Sequence, residues 1–269
     1  PPMMLPRRAA LALPALLPLA ARAQEGALRV IIPQPPGGAT DILARMLVDP
    51  LAAALGRPVI IENRPGANGI VSINALRQSR PDGSAILLGG VSIFSFNPNL
   101  FPNLPYDPFR DFTWVAPIAD TPFVMVTGRR TGMTTMAQFV ERARAPPART
   151  TFGSPVPNIQ AGQVNALVTL GSERAPALPQ VPTLRETGFG DVVMPGWYAF
   201  VGPAGMPAPV VERLDTAIRS VVQNPAVVAR LRDQVLEPIP GTAAEIQARA
   251  RRESDDMAAF IRRRGIRVE

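Results

Sequence analysis

Pro35-Pro36-Gly37-Gly38-Ala39-Thr40-Asp41 is the stretch of this sequence best suited to hold a ligand. Its two glycines leave backbone N–H groups unshielded, and a helix starting just after them adds unsatisfied donors at the positive end of its dipole. Such a corner suits an anion, most simply a carboxylate. Thr40 offers a hydroxyl donor. Asp41 has two opposed readings: a first-turn carboxylate stabilises the helix, but it also competes with an anionic ligand for the same positive end. A plain tight turn is the structural alternative for Gly37-Gly38, and the spacing is not the G-x-G-x-x-G of dinucleotide sites. Asn63 to Gly69 is a second glycine-rich loop ahead of a helix, and it reads as a turn that seats that helix on a sheet.

The chemistry the chain excludes is broader. Among 269 residues there is no cysteine and no histidine, and all 28 basic residues are arginines. A Cys/His zinc site, a Ser-His-Asp or Cys-His set, a P-loop lysine and a Schiff-base lysine are therefore ruled out. A hydrolase would need Asp or Glu as its base, and no close carboxylate pair sits beside a glycine-rich strand end apart from the isolated Asp41. The reading is a protein without catalysis and without a cofactor. The net charge of +7 comes from scattered arginines, and the C-terminal cluster interleaves Arg249, Arg251 and Arg252 with Glu253, Asp255 and Asp256. A solvated helix face explains that pattern better than a phosphate footprint, so no nucleic-acid partner is expected.

The elements that must position the loop follow from periodicity. Leu28 to Ile32 is a β-branched run broken by Pro33, and Thr40 is placed to cap a helix from Asp41 to Leu55 that Gly56 ends. A strand at Val59 to Glu62, a helix through Leu76, the turn Pro81-Asp82-Gly83 and a strand at Ala85 to Leu88 come next. This alternation predicts a parallel sheet with helices on its faces, with the Pro35 to Asp41 loop at the strand ends where such sheets bind ligands. Strands are further predicted at Trp114 to Ile118, Phe123 to Thr127, Arg149 to Phe152, Val164 to Leu170 and Trp197 to Val201. Helices are predicted at Thr135 to Arg144, Pro209 to Gln223, Pro225 to Gln234 and Ala243 to Arg263. Trp114, Trp197 and Tyr198 read as core or hinge packing rather than ligand stacking. Arg45, one turn beyond Asp41, reads as the partner of a surface carboxylate.

At the N-terminus, Arg7-Arg8, an apolar stretch from Ala9 to Ala20 and the small-x-small site Ala21-Arg22-Ala23 read as a signal peptide, residues 1–23, cut before Gln24. The stretch is too short for a permanent membrane span, and the expected location is the periplasm.

Several motifs resemble one known family in order along the chain. They are Arg29 to Asp41 with Ala44-Arg45, Gly56 to Val59, Val59 to Ala67, Arg80 to Gly83, Asn97-Pro98, Leu104 to Pro108 with Asp111-Phe112, Ala177 to Thr183, and Gly202 to Pro207. This set is similar to the Bug, or TctC-like, extracytoplasmic solute receptors of tripartite tricarboxylate transporters. The resemblance implies an α/β, type 2 periplasmic binding protein-like fold, with two lobes of parallel-rich sheets flanked by helices. It implies lobe 1 from residues 24–118 and 197–269, and lobe 2 from 119–196. It also implies a monomer that binds a small carboxylate and delivers it to membrane permease subunits. Carried onto this sequence, the ligand-binding residues are Pro35, Pro36, Gly37, Gly38, Ala39, Thr40 and Asp41, with Ser92 after the third strand. Gly153 and Ser154 open the second-lobe loop.

After Ser154 the chain departs from that pattern. Only Pro155 and Val156 separate it from Pro157 to Val164, where the family continues through about fifty residues of alternating helix and strand. The second lobe is therefore expected to be shortened. An alternative function follows, that of a degenerate exported copy that no longer binds ligand.

Overall fold

The computed structural model describes residues 26–145, 162–190 and 192–266. The proposed signal peptide and the predicted strand at Arg149 to Phe152 lie outside them, as do Gly153 and Ser154.

Leu28–Ile32 forms β1, and its alternating side chains enter two different cores. Ala39–Leu55 forms α1, closed by Gly56 in the left-handed conformation, and Val59–Asn63 forms β2. Ile70–Arg77 is α2 and Ala85–Gly90 is β3. The order β2-β1-β3 is parallel throughout, as the strand-helix alternation predicts.

Beyond β3 the pairing changes sense. Two elements the sequence did not disclose follow at once: a π-helical turn, Ser92–Phe96, and the short α3, Asn97–Leu100. The long β4, Phe112–Pro122, and β7, Pro195–Pro203, pair with each other antiparallel, and β7 also runs antiparallel to β3. With the two-residue β8, Glu237–Pro238, they complete a mixed six-stranded sheet of order β2-β1-β3-β7-β4-β8. The parallel half comes from helical crossovers, and the antiparallel half from strands that leave the sheet and return to it.

Helices cover both faces. On one face α1, α5 (Ala208–Val222) and α6 (Pro225–Asp233) bury Leu43, Leu47, Leu51, Leu214, Ile218 and Leu231 against Val30, Ile86 and Phe200. On the other, α2 and α7 (Ala243–Arg264) cover Ile31, Leu87, Trp114 and Trp197. Phe94 stacks on Trp197 with ring centroids 5.9 Å apart and lies 4.8 Å from Trp114. Both tryptophans are thus core residues, as read from the sequence.

β4 and β7 are also the strands through which the chain passes to and from a second, smaller sheet. That sheet contains β5 (Val124–Gly128) paired antiparallel with β6 (Val164–Thr169). The helix α4, Met136–Arg144, packs on it through Met136, Phe139 and Val140, with Thr135 and Gln138 forming a reciprocal capping box.

Candidate functional site

Three loops leave the C-terminal ends of β1, β2 and β3, and they meet at Gly69. A Cβ there would lie 2.9 Å from Ile93 Cδ1 and 3.4 Å from Pro33 Cβ, and its φ of +91° favours glycine. The loop after β1 is the one singled out by its chemistry. Pro35, Pro36, Gly37 and Ala39 are exposed and Gly38 is half-buried, whereas Thr40 and Asp41 are each 2% exposed.

Gly38, not Thr40, is the N-cap of α1; Thr40 lies inside the first turn. One side chain from outside the helix, Gln34, and one from its own first turn, Asp41, close this end. Gln34 Oε1 accepts from Thr40 N–H at 2.9 Å, and Asp41 Oδ2 accepts from Gly37 N–H at 2.9 Å. Gly38 N–H donates to Pro35 O at 3.1 Å. A Cβ on Gly38 would sit 2.7 Å from Gln34 Oε1, so the second glycine is what lets this internal cap form. Three of the donors that made the loop look ready for an anion are therefore engaged within it. Ala39, the first residue of the helix, is exposed at the positive end of the dipole.

Asp41 is held from several sides. Arg45 Nε donates to Oδ2 at 2.8 Å, and Asn63 Nδ2 donates to Oδ1 at 3.1 Å while also reaching Gln34 O at 2.9 Å. Arg45 first, with the Gly37 and Asn63 hydrogen bonds, holds the Asp41 carboxyl down at about 2 against the opposing effect of burial. Of the two readings of Asp41, the helix-stabilising one is realised here, and the carboxylate Arg45 pairs with is Asp41 itself. Burial pushes the Tyr198 phenol above its ordinary pKa, with Thr40 opposing the rise. Tyr198, on the crossing strand β7, packs against the core that α1 shares.

Ser92 is exposed at the first position of the π-helical turn after β3. The loop after β2 is unusual in its backbone: Gly66, Ala67, Asn68 and Gly69 all have positive φ. Asn97 Nδ2 holds that turn through Asn68 O at 2.9 Å, and also donates to Tyr106 Oη at 3.1 Å. Gln34, Asn63 and Asn97 are the supporting residues that the sequence did not single out, whereas Tyr198 reads there as core or hinge packing. Only Asn63, in a loop already marked by its glycines, carried a local signal.

Among the described residues no group of three or more carboxylates could hold a metal ion, and no helix is long and apolar enough to cross a membrane. A surface cavity of about 460 Å³, lined by Leu55, Glu212, Arg213 and Ser220 among others, lies between α1 and α5. It is at the far end of α1, about 25 Å from the Gly38 end for a helix of this length.

The sequence model of the tripartite tricarboxylate transporter family receptor, TctC, matches residues 43–156 and 154–266. The two pieces meet where the chain was expected to be shortened. Protein BugT of Bordetella pertussis is 25% identical over an alignment of 294 positions, covering 90% of this chain and 90% of that protein. The alignment is longer than the 269-residue chain, so BugT carries residues that this chain lacks. A solved structure described as a periplasmic transporter is 26% identical and superposes with a TM-score of 0.85, covering 91% of this chain and 99% of that one. MatC from Rhodopseudomonas palustris, solved with bound malate, is 23% identical with a TM-score of 0.83, over 88% of this chain and 99% of MatC.

Proposed function

The chain belongs to the TctC family of tripartite tricarboxylate transporter receptors, and from that premise we propose that it is a periplasmic receptor for a small carboxylate. The observation that carries the reading is the meeting of three strand-end loops at Gly69, beside the N-terminus of α1, with Ala39 exposed at the first helical position and Ser92 on the adjoining turn. A helix N-terminus at the carboxyl edge of parallel strands is a general anion site, and a carboxylate there gains from both the free donors and the dipole. The malate bound to MatC supports the same ligand class.

In this reading Pro35 to Asp41 and Ser92 form the first-lobe side of the site. Residues 24–118 and 197–269 form lobe 1, residues 119–196 form lobe 2, and Gly153 and Ser154 supply the second-lobe contact. The receptor works as a monomer exported by residues 1–23, and it passes its ligand to permease subunits in the membrane. Ligand contacts with both lobes would drive closure about β4 and β7.

A second reading is favoured by one observation. The small sheet has two strands among the described residues, and the family match breaks at 154–156. A copy that is exported but no longer closes on a ligand fits that shortening. Titration calorimetry of the protein from Gln24 onward against citrate, malate, aspartate, glutamate, nicotinate and terephthalate separates the two. A saturable heat with one of them supports the receptor, and its absence at millimolar concentrations supports the second reading.

A further inference from the structure

Arg45 lies one helical turn beyond the loop, and its side chain is 58% exposed. Its position alone would make it an ordinary surface residue. Its guanidinium instead reaches back to a carboxylate that is 2% exposed, and it shares Oδ2 of Asp41 with the Gly37 N–H. The carboxylate next along this edge, Glu62, is taken by Arg29 and Arg64.

The consequence is electrostatic. The N-terminus of a helix carries about half a positive charge, so one uncompensated carboxylate in the first turn would more than cancel it. An anion approaching Ala39 N–H would then meet net negative potential in a partly desolvated corner, where charges act more strongly than in bulk water. Asp41 is nevertheless needed where it is, because it caps Gly37 and anchors Asn63. A cation placed behind it reconciles the two requirements.

We propose that Arg45 is a specificity-determining positioning residue: it cancels the Asp41 charge and fixes that carboxylate on Gly37 and Asn63, so that the loop admits an anionic ligand. This rests on the receptor reading and deepens it. Arg45 touches no ligand itself.

The test compares wild type, Arg45→Gln and Arg45→Lys, with malate and the other carboxylates of the panel as probes. Gln keeps a hydrogen-bond donor near Asp41 but removes the charge, whereas Lys keeps the charge. Arg45→Gln is expected to bind the best wild-type ligand about tenfold more weakly at low salt, while losing the Asp41 ion pair lowers its melting temperature by only a few degrees and leaves it folded at the assay temperature. The loss should shrink in about 0.5 M salt, where screening acts over a few ångströms, and Arg45→Lys should bind within about threefold of wild type. Equal binding by wild type and Arg45→Gln overturns the inference, as does an equal, salt-independent loss in both variants. Wild type that binds none of the panel overturns the receptor reading, and this inference with it.

Discussion

Replacing Asp41 by Asn removes one charge from a buried group while keeping its shape, and the structure sets the size and the pH dependence of the effect. Asp41 is held at about 2 against an ordinary 3.8 by Arg45, Gly37 and Asn63. A shift of that size corresponds to about 2 kcal/mol of folding stability. Arg45 is more than half exposed, so solvent screening brings the figure to about 1–2 kcal/mol. The folded-state pKa is the lower one, so the contribution is whole above the unfolded value. It declines as pH falls through about 4 and is lost near 2. At pH 7 the variant is therefore expected to melt about 2–8 °C below wild type. In urea titrations at pH 7, 5, 4 and 3 the gap between the two proteins should stay constant down to about pH 5 and fall by about half at pH 3. A gap of the same size at pH 3 as at pH 7 would refute the reasoning, because the Asp41 charge would then contribute nothing. Equal stability at pH 7 would refute it too.

Three further outcomes test how the two sheets are joined and capped. Gly196→Val places a Cβ 2.5 Å from Thr121 O across the β4–β7 pair, and is expected to cost at least about 2 kcal/mol in chemical denaturation. Trp197→Phe removes the indole that donates to Glu253 Oε2 at 2.6 Å, leaving a half-buried carboxylate with one partner fewer. A loss of about 1–3 kcal/mol is expected, again by denaturation. Thr242→Ala breaks the capping box with Glu245 at the start of α7 and should cost about 1 kcal/mol, read as a fall of a few degrees in melting temperature.

The parts of the fold legible in the sequence were those set by local chemistry. Pro33 and Gly56 bracket the loop and α1, and the β-branched runs at Leu28 and Val59 become neighbouring parallel strands. What the sequence hid depends on distant contacts. Thr40 has the residue type of a cap, yet Gln34 and Asp41 fold back over the helix end and move the cap to Gly38. The turn that allows this is visible as Gly37-Gly38, but the reach of the Gln34 side chain is not. Asn63 meets Asp41 only because β1 and β2 are paired in register, and Tyr198 meets Thr40 only because β7 inserts beside β3. The antiparallel half of the large sheet was hidden for the same reason. No local signal states that the partner of Trp114 on β4 is Val201, far along the chain. The two-residue β8 and the π-helical turn at Ser92 are too short to leave a periodicity.

The most direct measurement is a crystal structure of the protein from Gln24 onward with the tightest-binding carboxylate of the panel. The account predicts a ligand carboxylate seated at the N-terminus of α1, within hydrogen-bond distance of Ala39 N–H directly or through one ordered water. In that structure Asp41 should still be turned back onto Gly37 and Arg45. A ligand bound elsewhere, such as the cavity between α1 and α5, or one bound only after Asp41 swings away from Gly37, would contradict it.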